Sequence, residues 1–438
     1  MKYISKKFLA LFIVGTLFLI PNFYRNWWAA VESGYYNEWQ TRNDRMVVAR
    51  LVKTRQDGFL SAGGFMGLGD TEAWNALSAT HRHQYKTYLE NDAFRTYLVY
   101  KSNPGFQGFV YGTLDQILNI PENQKLKLFR GLTALASAAV FGLMFAALVL
   151  EFGYLSGIFM LLFSAFSMWI VLPAGSIFWD FWAFFLSFLA SAFLLAQSAR
   201  ENRYDERKIH GIIFITFLMK ILFSGFDITT TVMVMTTVPF VYYGIASQWD
   251  RKAFLTRFIK IGVVISAATL TGLLILAAQI FANDGSIRSV LQYVENRFAS
   301  HAAGSSALEL GEHFQATDIS TLEVIGKYLA MPAITRQFQN TTVQVLYWQI
   351  IVLFLLCTVT YLLIYRLKRH SDYPRKAVAL IAATWYSILA PLSWFVLFKP
   401  HAIIHTHVNT MGWQMPFVLL GFALCGYIIQ DLFKAKSS

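Results

Sequence analysis

Charge is what this sequence has least of: charged residues make up 14% and hydrophobic residues 56% of its 438 positions, against roughly a quarter charged in soluble domains. That balance excludes an ordinary water-soluble globule and leaves an integral membrane protein. Cysteine is also scarce. The two present, Cys357 and Cys425, both lie inside apolar runs, so no disulfide framework exists and cysteine usage carries no redox information. Repeats, low-complexity tracts and Pro/Gly/Ser linkers are missing as well, so residues 1–438 read as a single membrane domain with external insertions. Charge of one sign is in excess, at a formal net +12. No basic stripe sits in a soluble stretch, however, so the excess points to anionic lipid at the inner leaflet and away from nucleic acid.

What is present is a series of long apolar runs. A spanning helix needs about 20 mostly apolar residues. About ten candidates run near 8–24, 129–150, 154–173, 180–198, 209–225, 229–246, 258–281, 343–365, 377–397 and 412–432. The expected fold is therefore an all-α polytopic membrane protein. Lys2, Lys6 and Lys7 precede the first run as they would in a signal peptide, but no small-residue cleavage site follows, and the run reads as an uncleaved anchor.

The connections sort into two sets. Basic loops hold Lys2, Lys6 and Lys7; Arg200, Arg203, Arg207 and Lys208; Arg251, Lys252 and Arg257; Arg366, Lys368, Arg369, Arg375 and Lys376; then Lys434 and Lys436. The positive-inside rule assigns these, and both termini, to the cytoplasm. The other set comprises a long first external loop at 25–128, turns at 173–180 and 225–230, a second external loop at 283–342 and the 399–413 connection.

The first external loop interleaves Trp27, Trp28, Tyr35, Tyr36, Trp39 and Trp74 with charges, a composition suited to interfacial helices at the headgroup level. Asn43 or Asp44 could cap a helix starting at the apolar run Met46–Val52; alternatively Asp44 is a carboxylate held at the boundary as a general base. Residues 58–70 are glycine-rich without the Gly-Lys-Ser/Thr ending of a phosphate loop and read as a flexible surface turn. Glu90 and Asp92 form an acidic pair on a solvated helix face. Residues 97–118 read as an amphipathic segment broken at Asn103-Pro104-Gly105, able to rest in the interface.

The 399–409 connection gathers Lys399, His401, His405 and His407. Metal ligation, phosphate or glycosyl contact and ordinary interfacial histidines all fit it; zinc would need three or four ligands, and His-x-His supplies two. Lys220 and Asp227 share this face, the lysine lining a cavity or pairing with the aspartate. Arg288, Arg297 and His301 come from the second loop, where a planar guanidinium suits phosphate oxygens.

About ten spans, a long first external loop, Asp44 some 20 residues beyond the first span and the Lys399–Asn409 cluster before the last one give a chain that resembles the GT-C superfamily of integral membrane glycosyltransferases, in a poorly characterised bacterial branch. The adjacent acidic pair or Asp-x-Asp common after the first span in that superfamily is missing here, so Glu38, Asp70, Glu90 and Asp92 stand beside Asp44 as candidates. The resemblance implies an enzyme of the bacterial plasma membrane. It would move a sugar from a polyprenyl-phosphate donor to a lipid-linked or polysaccharide acceptor at the external face, inverting the anomeric carbon. Asp44 would be the base, with Lys399, His401, His405, His407, Arg288, Arg297 and Lys220 available to the phosphate. A divalent cation is possible but unassigned, and membrane lipids are the expected surroundings. Two alternatives stay open, a polysaccharide polymerase or O-antigen ligase-like enzyme, and a flippase or transporter of a lipid-linked glycan, which predicts charges and helix breaks deep in paired spans.

Overall fold

The computed structural model describes residues 5–71, 77–298, 320–338, 341–367 and 374–437. Its helices in the first part of the chain are α1 (Lys6–Arg25), α2 (Ser33–Asp57), α3 (Leu77–Leu89), α4 (Phe106–Ile117), α5 (Glu122–Phe152), α6 (Tyr154–Phe166), α7 (Met168–Ala174), α8 (Trp182–Glu201), α9 (Glu206–Ser224) and α10 (Thr229–Ala246). There follow α11 (Arg251–Asp284), α12 (Ile287–Phe298), α13 (Thr321–Leu329), α14 (Tyr347–Leu367), α15 (Arg375–Ser387), α16 (Leu389–Leu397), α17 (Lys399–Ile404), α18 (Thr406–Asn409) and α19 (Phe417–Ser437).

Among the described residues, eight helical stretches are long and apolar enough to cross a membrane: α1, α5, α8, α10, α11, α14, the α15–α16 pair and the stretch that runs into α19; a ninth is added if the bent pair α6–α7 counts as one span. This is the make-up of a multi-pass membrane protein. The expected span at 154–173 is thus broken, bent by 69° where Ser167 takes an extended conformation. The tenth expected span is α9, whose 19 residues include Glu206, Arg207, Lys208 and Lys220. It is long enough, at about 28 Å, but carries too much charge to qualify on apolarity.

The chain is mostly helical and not all-α. Two antiparallel ribbons interrupt it: β1 (Gly67–Gly69) with β2 (Tyr97–Val99), and β3 (Pro332–Phe338) with β4 (Thr341–Leu346). Thr341, Thr342, Val343 and Val345 are β-branched and favour extended backbone, so the span expected from residue 343 begins instead at Tyr347. At the other end, the span expected from 412 starts as a helix at Phe417, after a buried 3₁₀ turn at Thr410–Gln414.

Close packing fixes the bundle. α1 lies along α5; a Cβ on Gly142 would meet Thr16 Oγ1 at 2.2 Å, and Gly15 faces Phe145 and Gly142. Small residues at such crossings let backbones approach, the usual device where lipid supplies no hydrophobic drive between helices. α10 packs on α8, α15 and α16, α9 on α8 and α11, and α19 on α6.

The two loop sets gather at opposite ends. Ser5, Glu151, Arg200 and Lys208 border one cavity, and Lys376 pairs with Glu151 at 3.0 Å. At the other end Asn22 donates to Ala165 O (2.7 Å), Asn103 to Phe223 O (3.3 Å), Trp169 to Pro332 O (2.8 Å) and Ser224 to Trp179 O (3.0 Å).

Candidate functional site

Helix α2 is started by Glu32, whose carboxylate accepts from Gly34 N (2.8 Å) and Tyr35 N (2.7 Å). Neither Asn43 nor Asp44 caps a helix: with Glu32 closing the free N–H groups, both lie well inside it. Tyr36, Gln40, Asn43 and Asp44 recur at helical spacing; Tyr36 reaches α1, Gln40 reaches α7, and Asn43 and Asp44 meet the turn between α7 and α8. Tyr36 donates to Phe23 O (2.8 Å), Gln40 to Leu172 O (2.7 Å), and Trp179 Nε1 to Asn43 Oδ1 (3.1 Å).

Asp44 is fully buried. Its carboxylate takes Arg130 Nε at 2.7 Å and the Ser176 hydroxyl at 2.7 Å, while Arg130 Nη2 donates to the Tyr85 hydroxyl at 2.8 Å. Burial pushes the carboxyl above its ordinary range, opposed by the Arg130 charge, the Ser176 hydroxyl and the Phe178 N–H. In this conformation the Asp44 carboxylate is enclosed and held by Arg130 and Ser176.

A second carboxylate lies under the same turn. Asp180 is fully buried, has positive φ (40°) and accepts from Trp182 Nε1 (3.0 Å) and the Tyr111 hydroxyl (3.2 Å) on one oxygen. Its other oxygen has no hydrogen-bond partner among the described residues. Burial raises it to about 8, and the Asp44 charge pushes the same way. From the sequence, residues 173–180 are expected only as a tight turn. The available signal was a lone acid in an otherwise uncharged stretch.

Arg130 also lines a cleft of about 180 Å³ with Tyr24, Arg25, Tyr36, Gln40 and Lys127. Arg25 and Lys127 are exposed. Three cations thus converge beside the Asp44 pair, and guanidinium forks suit phosphate oxygens. None of them was expected; the signal was the basic series Lys125, Lys127 and Arg130 in the first turns of α5. Lys125 itself is spent on Asp115 (3.5 Å), which Arg55 grips on both oxygens (2.5 and 2.8 Å).

The second predicted cluster is partly assembled. Buried Lys220 donates to Gly225 O (2.8 Å), Asp227 O (2.7 Å) and Thr229 Oγ1 (3.0 Å), satisfying carbonyls past the end of α9. The expected ion pair of Lys220 with the Asp227 carboxylate is replaced by this backbone contact. Asp227 faces His401 Nε2 at 4.0 Å. The His401 and His405 rings lie 4.6 Å apart, and Asn409 donates to His401 O (3.1 Å) while accepting from Trp394 Nε1 (3.1 Å). Lys399 is half-buried at the start of α17. His407 lies in α18, its side chain outside the described residues. Through Ser224 on Trp179 O, this cluster adjoins the turn that carries Ser176 and Asp180.

The remaining candidates are elsewhere. Arg288 is exposed on α12, an element tied to the first segment by Tyr293 donating to Lys101 O at 2.7 Å; the Arg297 side chain and His301 lie outside the described residues. Glu38 pairs with Arg42 (2.6 Å) on the exposed face of α2. Asp70 pins a turn, accepting from Arg95 N (2.7 Å) and Thr96 N (3.3 Å) and facing His83 (2.9 Å). Glu90 and Asp92 are exposed.

The glycine-rich stretch is not a flexible surface turn. Residues 64–69 are buried, and the chain winds around Arg50, which donates to Ser61 O at 2.6 Å and to the carbonyl of Phe59. The break expected at 103–105 is present: Gly105 at φ 72° starts α4.

Among the described residues no group of three or more His, Cys, Asp or Glu side chains converges on a point where a metal ion could sit. Comparison of the chain with protein-family models, with curated proteins and with solved structures finds no match.

Proposed function

We propose that this chain is a membrane-embedded glycosyltransferase of the GT-C kind. It takes a sugar from a polyprenyl-phosphate donor at the external end of the bundle and passes it, with inversion, to a lipid-linked or polysaccharide acceptor. The observation that carries the reading is the shared wall between Asp44 and the cationic cleft: Arg130 holds the buried carboxylate on one side and faces Arg25 and Lys127 on the other. A donor phosphate entering the cleft competes for the Arg130 guanidinium and releases Asp44. The acceptor oxygen then attacks the anomeric carbon, its proton passes to Asp44, and the carbon–oxygen bond to phosphate breaks with its electron pair on the leaving phosphate. Arg25, Lys127 and Arg130 stabilise the charge that builds there. The histidine cluster is assigned to the acceptor side. The basic loops, and both termini, are assigned to the cytoplasm of a bacterial cell on the positive-inside rule.

The test is transfer of radiolabelled sugar from a panel of synthetic polyprenyl-phosphate sugars, comparing purified wild type with Asp44→Asn and Arg130→Gln, each checked for folding. General-base loss should lower transfer by about 10²-fold or more in Asp44→Asn. A folded Asp44→Asn enzyme with full activity removes Asp44 as base. A wild type that transfers nothing from any donor overturns glycosyl transfer and brings the lipid-glycan transport reading forward.

A further inference from the structure

A further cavity lies at the opposite end of the molecule from the carboxylate and histidine clusters. It has a volume of about 650 Å³, within the roughly 300–1,000 Å³ typical of ligand sites. Its body, between α5, α8, α10 and α19, is apolar, lined among others by Met144, Leu148, Phe188, Leu189, Pro239 and Leu420. Its rim is charged, with Glu151, Arg200, Glu201 and Lys208.

Two acids and two bases stand on the rim, and Lys376, paired with Glu151, tips the balance to positive. Glu151 already accepts from the Tyr242 hydroxyl (2.9 Å) and pairs with Lys376 (3.0 Å). Glu201 accepts from Gln197 Nε2 (2.8 Å), and Lys208 donates to Gln197 Oε1 (3.0 Å). Arg200 is exposed and makes no hydrogen bond or ion pair among the described residues. Glu151 is thus neutralised by Lys376 and one Glu201 oxygen is held by the Gln197 amide, while Arg200 and Lys208 are exposed with donors to offer.

We propose that this cavity binds one anionic phospholipid, a hydrocarbon chain occupying the apolar body and the phosphate resting on Arg200 and Lys208. A small soluble anion would use the rim and leave the body empty. A neutral hydrocarbon would use the body and ignore the cations. An anionic amphipath uses both, and the rim belongs to the basic loop set, where anionic headgroups are concentrated and basic pockets between helices take them up. The site is independent of the chemistry proposed at the other end.

Native mass spectrometry of the full chain in detergent tests it, with dioleoylphosphatidylglycerol and dioleoylphosphatidylcholine as probes. Wild type should retain one phosphatidylglycerol with a preference of about tenfold or more, as two headgroup cations imply. Arg200→Gln/Lys208→Gln should bind the two lipids equally. Ala192→Phe or Ala147→Phe, each filling the body from a lining position, should lose retention of both while keeping the melting profile. Equal binding of the two lipids by wild type overturns the proposal. So does undiminished phosphatidylglycerol in a folded filling variant, or its displacement by inorganic phosphate alone. If both filling variants misfold, the rim double variant still decides, because its positions are on the surface.

Discussion

The carboxylate cluster beneath residues 25–128 and the histidine cluster of residues 399–409 sit at the same end of the bundle but are built differently. In the first, Asp44 and Asp180 are wholly enclosed, and Asp44 is fixed by Arg130 and Ser176, both at 2.7 Å. In the second, the contact of the Asp227 carboxylate with His401 spans 4.0 Å with both side chains partly open to solvent. A charge enclosed without water depends on its partner, whereas an accessible one is screened and replaceable. The enclosed carboxylate therefore depends on its partner being present, whereas the open pair tolerates the loss of one member.

The comparison can be broken most severely at Arg130. Arg130→Met strands the Asp44 carboxylate and should cost about 3 kcal/mol, read as a lowered unfolding midpoint, with much of it recovered in Asp44→Asn/Arg130→Met. A midpoint unchanged in the single variant would mean that Asp44 is neutral or hydrated in the folded protein.

Asp180 gives the next largest effect, and it depends on pH. Its folded value of about 8 lies above that of an unfolded aspartate, so the folded chain holds a proton that the unfolded chain releases. Stability should fall as pH rises from about 4 to about 8 and level off beyond, by up to a few kcal/mol. Asp180→Asn should flatten that slope. Equal slopes in the two proteins would show that Asp180 ionises freely.

Asp227→Asn or His401→Gln should change stability by less than about 1 kcal/mol, as expected of an accessible pair at long range; a loss as large as that of Arg130→Met would make the histidine cluster a structural node. The smallest effect is expected at Glu38. Glu38→Gln removes an exposed helix-surface pair and should leave transfer activity unchanged, and a loss comparable to that of Asp44→Asn would move the base to the other side of α2.

Apolar runs are local, so the spanning helices were legible, along with the break at Gly105 and the sorting of basic loops to one end. The misreadings share a cause. Glycines between 58 and 70 signalled a loose turn because nothing local shows that Arg50 is threaded through it. Asp44 looked like a cap because Glu32, the true cap, lies 12 residues earlier. The cations that face the proposed chemistry went unnoticed because Arg25 and Lys127 belong to the two ends of the first external segment and meet only when α1 packs along α5.

By itself, then, the sequence determined that this is a multi-pass membrane protein, where most of its helices run and which loops are basic, since hydrophobic length and charge act on neighbouring residues. Tertiary structure alone decided what each ionisable group touches. Arg130 reaches Asp44 across 86 positions, and Ser176 reaches the same carboxylate across 132; the Asp180 carboxyl is raised by its burial under the closed turn and by the Asp44 charge, against the hydrogen bonds from Trp182 and Tyr111. Partners of buried charges are chosen by packing, and packing is not written in any window of the chain.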